Sequence, residues 1–413
     1  MRVAELQVTK RSYGLFSASR RLGRTVISVS LAALMAAPAP AFACTTLMTR
    51  DSSGGVYHGR TLELASWLPY NVAYVPAGTW LASSAPTAAE TALQGSSRYR
   101  VLALTVPVNA AGDNKVVEGL NEEGLSFSAL MYAGAVGPQV RIAQSQKALA
   151  AADIGAWGLS QFKSVAEVKA ALQTQPIWLA GLAVLGGLKT PLHYVFYDRS
   201  GASVVIEFAD GKQTVTDNPL GVMTNGPAFS WHLTNLNNYS FLTNLDKSSG
   251  SLGALKLAQP DSGIATQGLP ASNTSVGRFV RAAYYSTYAE PAKDADSAVV
   301  TLAHVMNNFD RPRGITVDES GAGANEGVAT TGTAALSSEY TTWTSLTDLN
   351  RNLLFVRTYM DMNYTRFDLA AFKDVKDIKL IPLASVAGAP SDANGQLKAG
   401  KSIAPPSGPA AKP

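Results

Sequence analysis

The lone cysteine of the chain, Cys44, stands directly after Ala41-Phe42-Ala43 and opens the run Cys44-Thr45-Thr46-Leu47-Met48-Thr49-Arg50. An Ala-x-Ala pattern at the end of a basic, then apolar segment is what a signal peptidase cuts. A cut after Ala43 leaves Cys44 with a free α-amine beside its own thiol. A thiol has a reference pKa of about 8.5 and an α-amine one of about 7.7–8.0. The neutral amine can therefore take the thiol proton near neutral pH, and one residue holds both nucleophile and base. Such a thiolate attacks an amide carbonyl, passes through a tetrahedral oxyanion and leaves a thioester that water hydrolyses. This chemistry calls for no histidine, metal or other cofactor. The four histidines, His58, His193, His232 and His304, follow no metal-ligand spacing and read as structural.

The element that must position Cys44 is the hairpin that follows it. Cys44–Arg50 and Val56–Glu63 flank the turn sequence Asp51-Ser52-Ser53-Gly54-Gly55. Pairing Arg50 with Val56 carries Cys44 to about Leu62, which brings Arg60 and Glu63 within reach of the nucleophile.

Residues 1–43 read as a cleaved export signal. The first part is basic, with Arg2, Lys10, Arg11, Arg20, Arg21 and Arg24 against the single acid Glu5. The apolar stretch Val26 to Ala37 is too short for a membrane span, which needs about 20 residues. The expectation is an exported protein, periplasmic or secreted, with no membrane span. Ser19-Arg20-Arg21 leaves twin-arginine export open beside the general route. Cys44 has two rival readings. One is the lipid-anchored cysteine of a lipoprotein, whose processing favours Leu and a small residue where this chain has Ala41 and Phe42. The other is a buried structural thiol.

The leader also carries the basic charge. Six of the 34 Lys and Arg and one of the 30 Asp and Glu lie in it, leaving 28 against 29 in residues 44–413. No basic cluster remains to grip phosphates, which excludes a nucleic-acid partner. The mature chain reads as one large domain, 44–385, with a Pro/Gly/Ala-rich, disordered tail over 386–413. The spacing predicts a helix over about Gln144 to Gln161. A second helix follows, opened by the capping box Ser164-Val165-Ala166-Glu167, with Val165, Val168 and Leu172 on its apolar face. An antiparallel meander is expected over 192–216, a helix from Ser297 to Phe309, and a second hairpin from Tyr340–Leu346 and Leu353–Tyr359 around Asn350-Arg351-Asn352. Gly321 to Gly332 reads as a loop. Strands at both ends with helices between them indicate an α+β fold of antiparallel sheets covered by helices.

Four stretches carry a resemblance. They are Cys44 with His58-Gly59-Arg60-Thr61-Leu62-Glu63, then Glu118-Gly119-Leu120-Asn121-Glu122-Glu123-Gly124-Leu125. The third runs from Pro191-Leu192-His193-Tyr194 through Thr224-Asn225-Gly226-Pro227 to Trp231-His232-Leu233-Thr234-Asn235. The fourth is Gly268-Leu269-Pro270 with Gly277-Arg278-Phe279-Val280-Arg281. In order and spacing the chain resembles the choloylglycine hydrolase family, which includes bile salt hydrolases and penicillin V acylases. The resemblance implies the four-layer αββα fold of N-terminal-nucleophile hydrolases, with two antiparallel sheets, and a homo-oligomer, a tetramer. It implies Cys44 as nucleophile, Arg60 as the arginine beside it, Asn225 as an oxyanion donor and Arg278 as a further active-site arginine, with Arg281 on the wrong side of the same helix. Local sequence also allows Arg60 as a surface ion pair and Thr224–Pro227 as an ordinary turn.

Two positions depart from the family pattern. Where the family usually has Asp holding the nucleophile's amine, this chain has Glu63. The second oxyanion position, Asn in bile salt hydrolases and Tyr in some penicillin acylases, falls on Met131, or on Tyr132 if the register slips by one. The expected pocket wall is apolar, with Trp67 and Leu68 after Glu63 and Trp178 and Leu182 within 177–185, although core packing accounts for such residues equally. An apolar wall favours an aryl or alkyl acyl group. The expectation is a penicillin V acylase-like hydrolase of small linear amides, acting on penicillin V or N-acyl homoserine lactones. Conjugated bile salts are the alternative substrates, and a lipid-anchored or catalytically inactive binding protein is the alternative of another class.

Overall fold

The hairpin that follows Ala43 has the expected register in the computed structural model. Strand β1 (Ala43–Arg50) pairs antiparallel with β2 (Val56–Leu64), Cys44 opposite Leu62 and Arg50 opposite Val56. The turn forms because Asp51 Oδ1 accepts from Ser53 N and Gly55 N, both at 2.8 Å, and Gly54 takes φ +88°. The structure describes residues 43–87, 91–108, 113–138, 147–185, 187–319, 336–386 and 392–404. The leader up to residue 42 and the stretch Gly321 to Gly332 lie outside the described residues.

Two antiparallel sheets form the middle of the fold. The smaller has the order β1-β2-β10-β11-β12, with β10 at Tyr340–Asp348, β11 at Leu353–Thr358 and β12 at Thr365–Asp368. The larger begins in the chain with β3 (Asn71–Val75), β4 (Val101–Pro107), β5 (Asn114–Asn121) and β6 (Ser126–Met131). It continues with β7 (Leu192–Tyr197), β8 (Ser203–Ala209), β9 (Lys212–Asp217), β13 (Ile378–Pro382) and β14 (Lys401–Ile403). Its strand order is β9-β8-β7-β6-β5-β4-β3-β13-β14.

Successive side chains on a strand point to opposite faces. On β7, Val195 and Tyr197 face the smaller sheet, while Tyr194 and Phe196 join a separate apolar cluster under α1 (Ile154–Gln161) and α2 (Val165–Leu172). A short helix, α3 (Phe229–Asn235), follows β9, and on the far side of the smaller sheet lie α4 (Ser275–Tyr288) and α5 (Ala295–Asn307), the last capped by Asp294 Oδ1 accepting from Ser297 N at 2.9 Å. The result is the expected α+β fold in four layers, αββα.

Three expectations need correction. The helix expected from about Gln144 starts at Ile154. Lys147–Ala150 is a short strand beside Ile177–Trp178, and residues 139–146 lie outside the described residues. Strand pairing there overrides the helical preference of an Ala-rich run. In α1 the glycines let the helix sit on the sheet: a Cβ at Gly155 would stand 2.4 Å from the Phe127 ring, and one at Gly158 2.3 Å from Phe196. The capping box closes one residue early. Ser164 Oγ accepts from Glu167 N at 3.3 Å, but Glu167 Oε2 accepts from Lys163 N, not Ser164 N. Within the stretch 386–413 expected to be disordered, α6 (Asn394–Ala399) and β14 are ordered elements. Leu397 is fully buried, and β14 pairs with β13 at the edge of the larger sheet. A single buried leucine leaves no periodic signal in a six-residue helix.

Candidate active site

Cys44 lies on β1 facing the larger sheet, 2% exposed. The parity of β2 places Arg60 on the same inter-sheet face, with its Nη2 3.6 Å from Cys44 Sγ. The guanidinium is immobilised from several sides. Nη1 donates to the Val117 carbonyl and, at 3.3 Å, to Glu118 Oε2, while Nη2 donates to the Ala129 carbonyl. The Trp343 ring lies 5.0 Å away, in cation–π contact. Burial pushes the Glu118 carboxyl up to about 7, against the pull of Arg60. Ser128 Oγ donates to Glu118 Oε2 at 2.6 Å and also lies 3.0 Å from His58 Nε2. Burial, with Arg60 nearby, pushes His58 down to about 3, so it is neutral over the working range.

Asn225 reaches the same point from 181 residues away. The segment ending in it adds to the free edge of β1: Thr46 N donates to the Met223 carbonyl at 2.8 Å and Met223 N returns to Thr46 O at 2.9 Å. Ser275 Oγ, in the first turn of α4, accepts from Asn225 N at 2.9 Å. His232 Nε2 donates to the Asn225 carbonyl and His193 Nε2 to that of Thr224, at 2.9 and 2.8 Å. Two histidines thus hold the loop backbone. Asn225 Oδ1 accepts from Cys44 N at 2.8 Å and from Arg278 Nη2 at 2.7 Å, and its Nδ2 donates to the Met131 carbonyl at 2.9 Å. These partners fix the amide's orientation.

Arg278 comes from α4, on the opposite face of β1, and is 1% exposed. Its Nη1 donates to the Cys44 carbonyl and to Thr45 Oγ1, the latter at 2.8 Å. Arg281 points elsewhere on the helix, donating to the carbonyls of Pro270 and Ser272.

Glu63 departs from its expected contact. It stands an odd number of residues after Arg60, past a register shift between Leu62 and Glu63, so it turns to the helix-side face with Arg278. It pairs with Ala43, not Cys44, and its Oε1 accepts from Thr341 Oγ1 at 3.1 Å. Its Oε2 meets no hydrogen-bond partner within normal distance among the described residues. Burial pushes this carboxyl up, opposed by Arg278, Thr61, Arg311 and Thr341. In the chain with Ala43 attached, the Cys44 nitrogen is held by Asn225.

A partly open cavity runs from Cys44 between the sheets. Among its described walls only Cys44, Arg60, Lys115, Tyr70 and Tyr194 carry polar side-chain atoms. Leu62, Leu64, Leu68, Val106, Val108 and Leu185 supply much of the rest. Of the expected wall residues, Leu68 and Leu182 line it, as does Met131, expected at the second oxyanion position. Three others lie elsewhere. Trp67 packs edge-on to Tyr70 with centroids 6.2 Å apart, Trp178 Nε1 donates to the Ser84 carbonyl at 2.8 Å, and the Tyr132 ring stacks on His193 at 5.1 Å. Glu118, Thr45, Ser275, Val106 and Val108 were not singled out from sequence. Glu118 had a signal: one charge inside the apolar run Val116-Val117-Glu118-Gly119-Leu120.

A sequence model described as linear amide C–N hydrolases, choloylglycine hydrolase family, matches residues 44–379. The chain belongs to the choloylglycine hydrolase family. Its relatives include a bile salt hydrolase/transferase of Clostridium perfringens, 29% identical over 65% of this chain and 79% of the relative. They also include a penicillin V acylase of Pectobacterium atrosepticum, 28% identical over 67% and 68%. Among solved structures, a conjugated bile acid hydrolase from Clostridium perfringens superimposes with TM-score 0.68 at 24% identity, covering 82% of this chain and 96% of that one. Penicillin V acylase from Agrobacterium tumefaciens gives 0.67 at 21%, covering 88% and 98%. These likenesses carry the fold. The family membership makes the chain a hydrolase of linear amide C–N bonds.

Proposed function

We propose that Cys44, freed by cleavage after Ala43, is the nucleophile of an exported acylase that removes aryl or fatty-acyl groups from small amides, with penicillin V and N-acyl homoserine lactones as representative substrates. The observation that carries this reading is the Cys44 thiol at the head of an apolar cavity, with a fixed guanidinium 3.6 Å from its sulfur. The family match that begins at residue 44 supports it.

The chemistry balances on this chain's own groups. The α-amine takes the thiol proton, and the thiolate forms a bond to the amide carbon. The oxyanion is met by the Asn225 amide, which exchanges the Met131 carbonyl for it. The amine leaving group departs with the proton from the α-amine. Water then cleaves the thioester, returning a proton to sulfur and releasing the acid. Preorganised donors of this kind are typically worth 10²–10³ in rate.

The test is a hydrolysis screen of penicillin V, short- and long-chain acyl homoserine lactones and glycocholate, with Cys44→Ser as control. Penicillin V or a long-chain lactone should lead by kcat/KM, and the control should be inactive. A second reading, conjugated bile salt hydrolysis, is favoured by the bile salt hydrolase relatives. Glycocholate as the best substrate would replace the first reading with it.

A further inference from the structure

The acyl cavity shares Lys115 with a neighbouring hollow. That hollow is open to solvent and lined by Asp113, Asp153 and Trp157 among others. Among the described residues, Lys115 alone lines both. The neighbouring pair Ala152 and Asp153 tells the same story, the first on the acyl cavity and the second on the outer hollow. Lys115 lies on β5 two residues before Val117, whose carbonyl holds Arg60. At about 3.3 Å per residue it therefore stands some two residues further along the strand from the nucleophile's arginine.

Its side chain is pinned. Nζ lies 2.6 Å from Asp153 Oδ1 and 2.9 Å from Asp113 Oδ2, with the side chain 14% exposed. Burial opposes the ammonium, but Asp153 and Asp113 outweigh it and hold its pKa above the ordinary value. A stretched lysine stem can cover apolar surface while its charge stays with polar partners. We propose that Lys115, held by Asp153, is the end-stop of the acyl pocket and sets the longest acyl chain the enzyme accepts. This rests on the acylase reading above.

The test is kcat/KM over a series of straight-chain N-acyl homoserine lactones from about 4 to 16 acyl carbons, a span that brackets short and long apolar chains. Three proteins are compared: wild type, Lys115→Ala and Lys115→Met. Wild type should lose activity beyond one chain length. Lys115→Ala should join the two hollows and move that limit up, gaining about fourfold per methylene newly admitted. Lys115→Met keeps the stem's bulk and should keep the wild-type limit, which also supplies a folded control without the ion pair. An unchanged limit in Lys115→Ala, or the same upward move in both variants, would overturn the end-stop. A wild-type protein that cleaves penicillin V but no member of the series would also overturn it, whereas inactivity on both would instead contradict the acylase reading.

Discussion

Each of the two fully buried arginines at the site has a fully buried acidic side chain acting on it: Glu118 Oε2 lies 3.3 Å from Arg60, and the charge of Glu63 favours the Arg278 guanidinium against burial. Buried charges survive in a protein only when paired in this way. Glu118 gives a pH prediction. Its folded pKa is raised to about 7 from the ordinary 4.5. Between those values the unfolded chain loses the proton while the folded chain keeps it, so this group's contribution falls as pH rises. Glu118→Gln removes the titration. Relative to wild type, the variant's stability should improve by about 3 kcal/mol between pH 4.5 and 7, read from urea melts at each pH. His58 acts the other way. Its folded pKa is lowered to about 3, so the unfolded chain takes the proton first and stability is lost as pH falls below 6.5. Glu63 gives a kinetic prediction. Lying with Arg278 and away from the Cys44 nitrogen, it is expected to act through Arg278. Glu63→Gln should lower kcat roughly 10-fold to 10²-fold with the acidic limb of the pH–rate profile unmoved. A limb displaced to lower pH would put the carboxylate at the α-amine after all, since losing a nearby negative charge lowers an amine's pKa.

At the scale of elements, the site depends on α5 lying close against β2. A Cβ at Gly59 would stand 2.8 Å from Met306 and 3.0 Å from Leu302. Gly59→Val should therefore cost about 1–3 kcal/mol by overpacking and lower both the melting midpoint and the yield of active enzyme. Native-like stability in that variant would show that α5 can withdraw. The first hairpin was legible in the sequence because its turn residues and alternation are local. The same alternation places Arg60 and Glu63 on opposite faces, and reading their spacing as mere proximity missed this. Strands β4 to β6 were not legible. They lie in the interior of the larger sheet with both faces covered, so their apolar runs carry little alternation. The Asn225 contact joins positions 181 apart, and only resemblance could supply it. The cavity wall was half legible: Leu68, Leu182 and Met131 line it, but the aromatic residues expected there serve packing and loop support.

At the scale of the molecule, the C-terminal segment closes the edge of the larger sheet that an unpaired β13 would expose. Open strand edges invite association. Leu397→Ala should cost about 2–5 kcal/mol, and removal of residues 387–413 should lower the melting midpoint and promote aggregation. Unchanged melting of the shortened protein would make the segment an ornament. The described residues contain no helix long and apolar enough to cross a membrane. The central claim joins all three scales: one fold serves to present the amine and thiol of a single residue to an apolar cavity. Its most direct measurement is the intact mass of active enzyme, before and during turnover of a slow acyl amide. The account predicts a chain that begins at Cys44 and, during turnover, carries one added acyl group on that residue. Active enzyme whose N-terminus lies upstream of residue 44, or an acyl group on any other side chain, would contradict it.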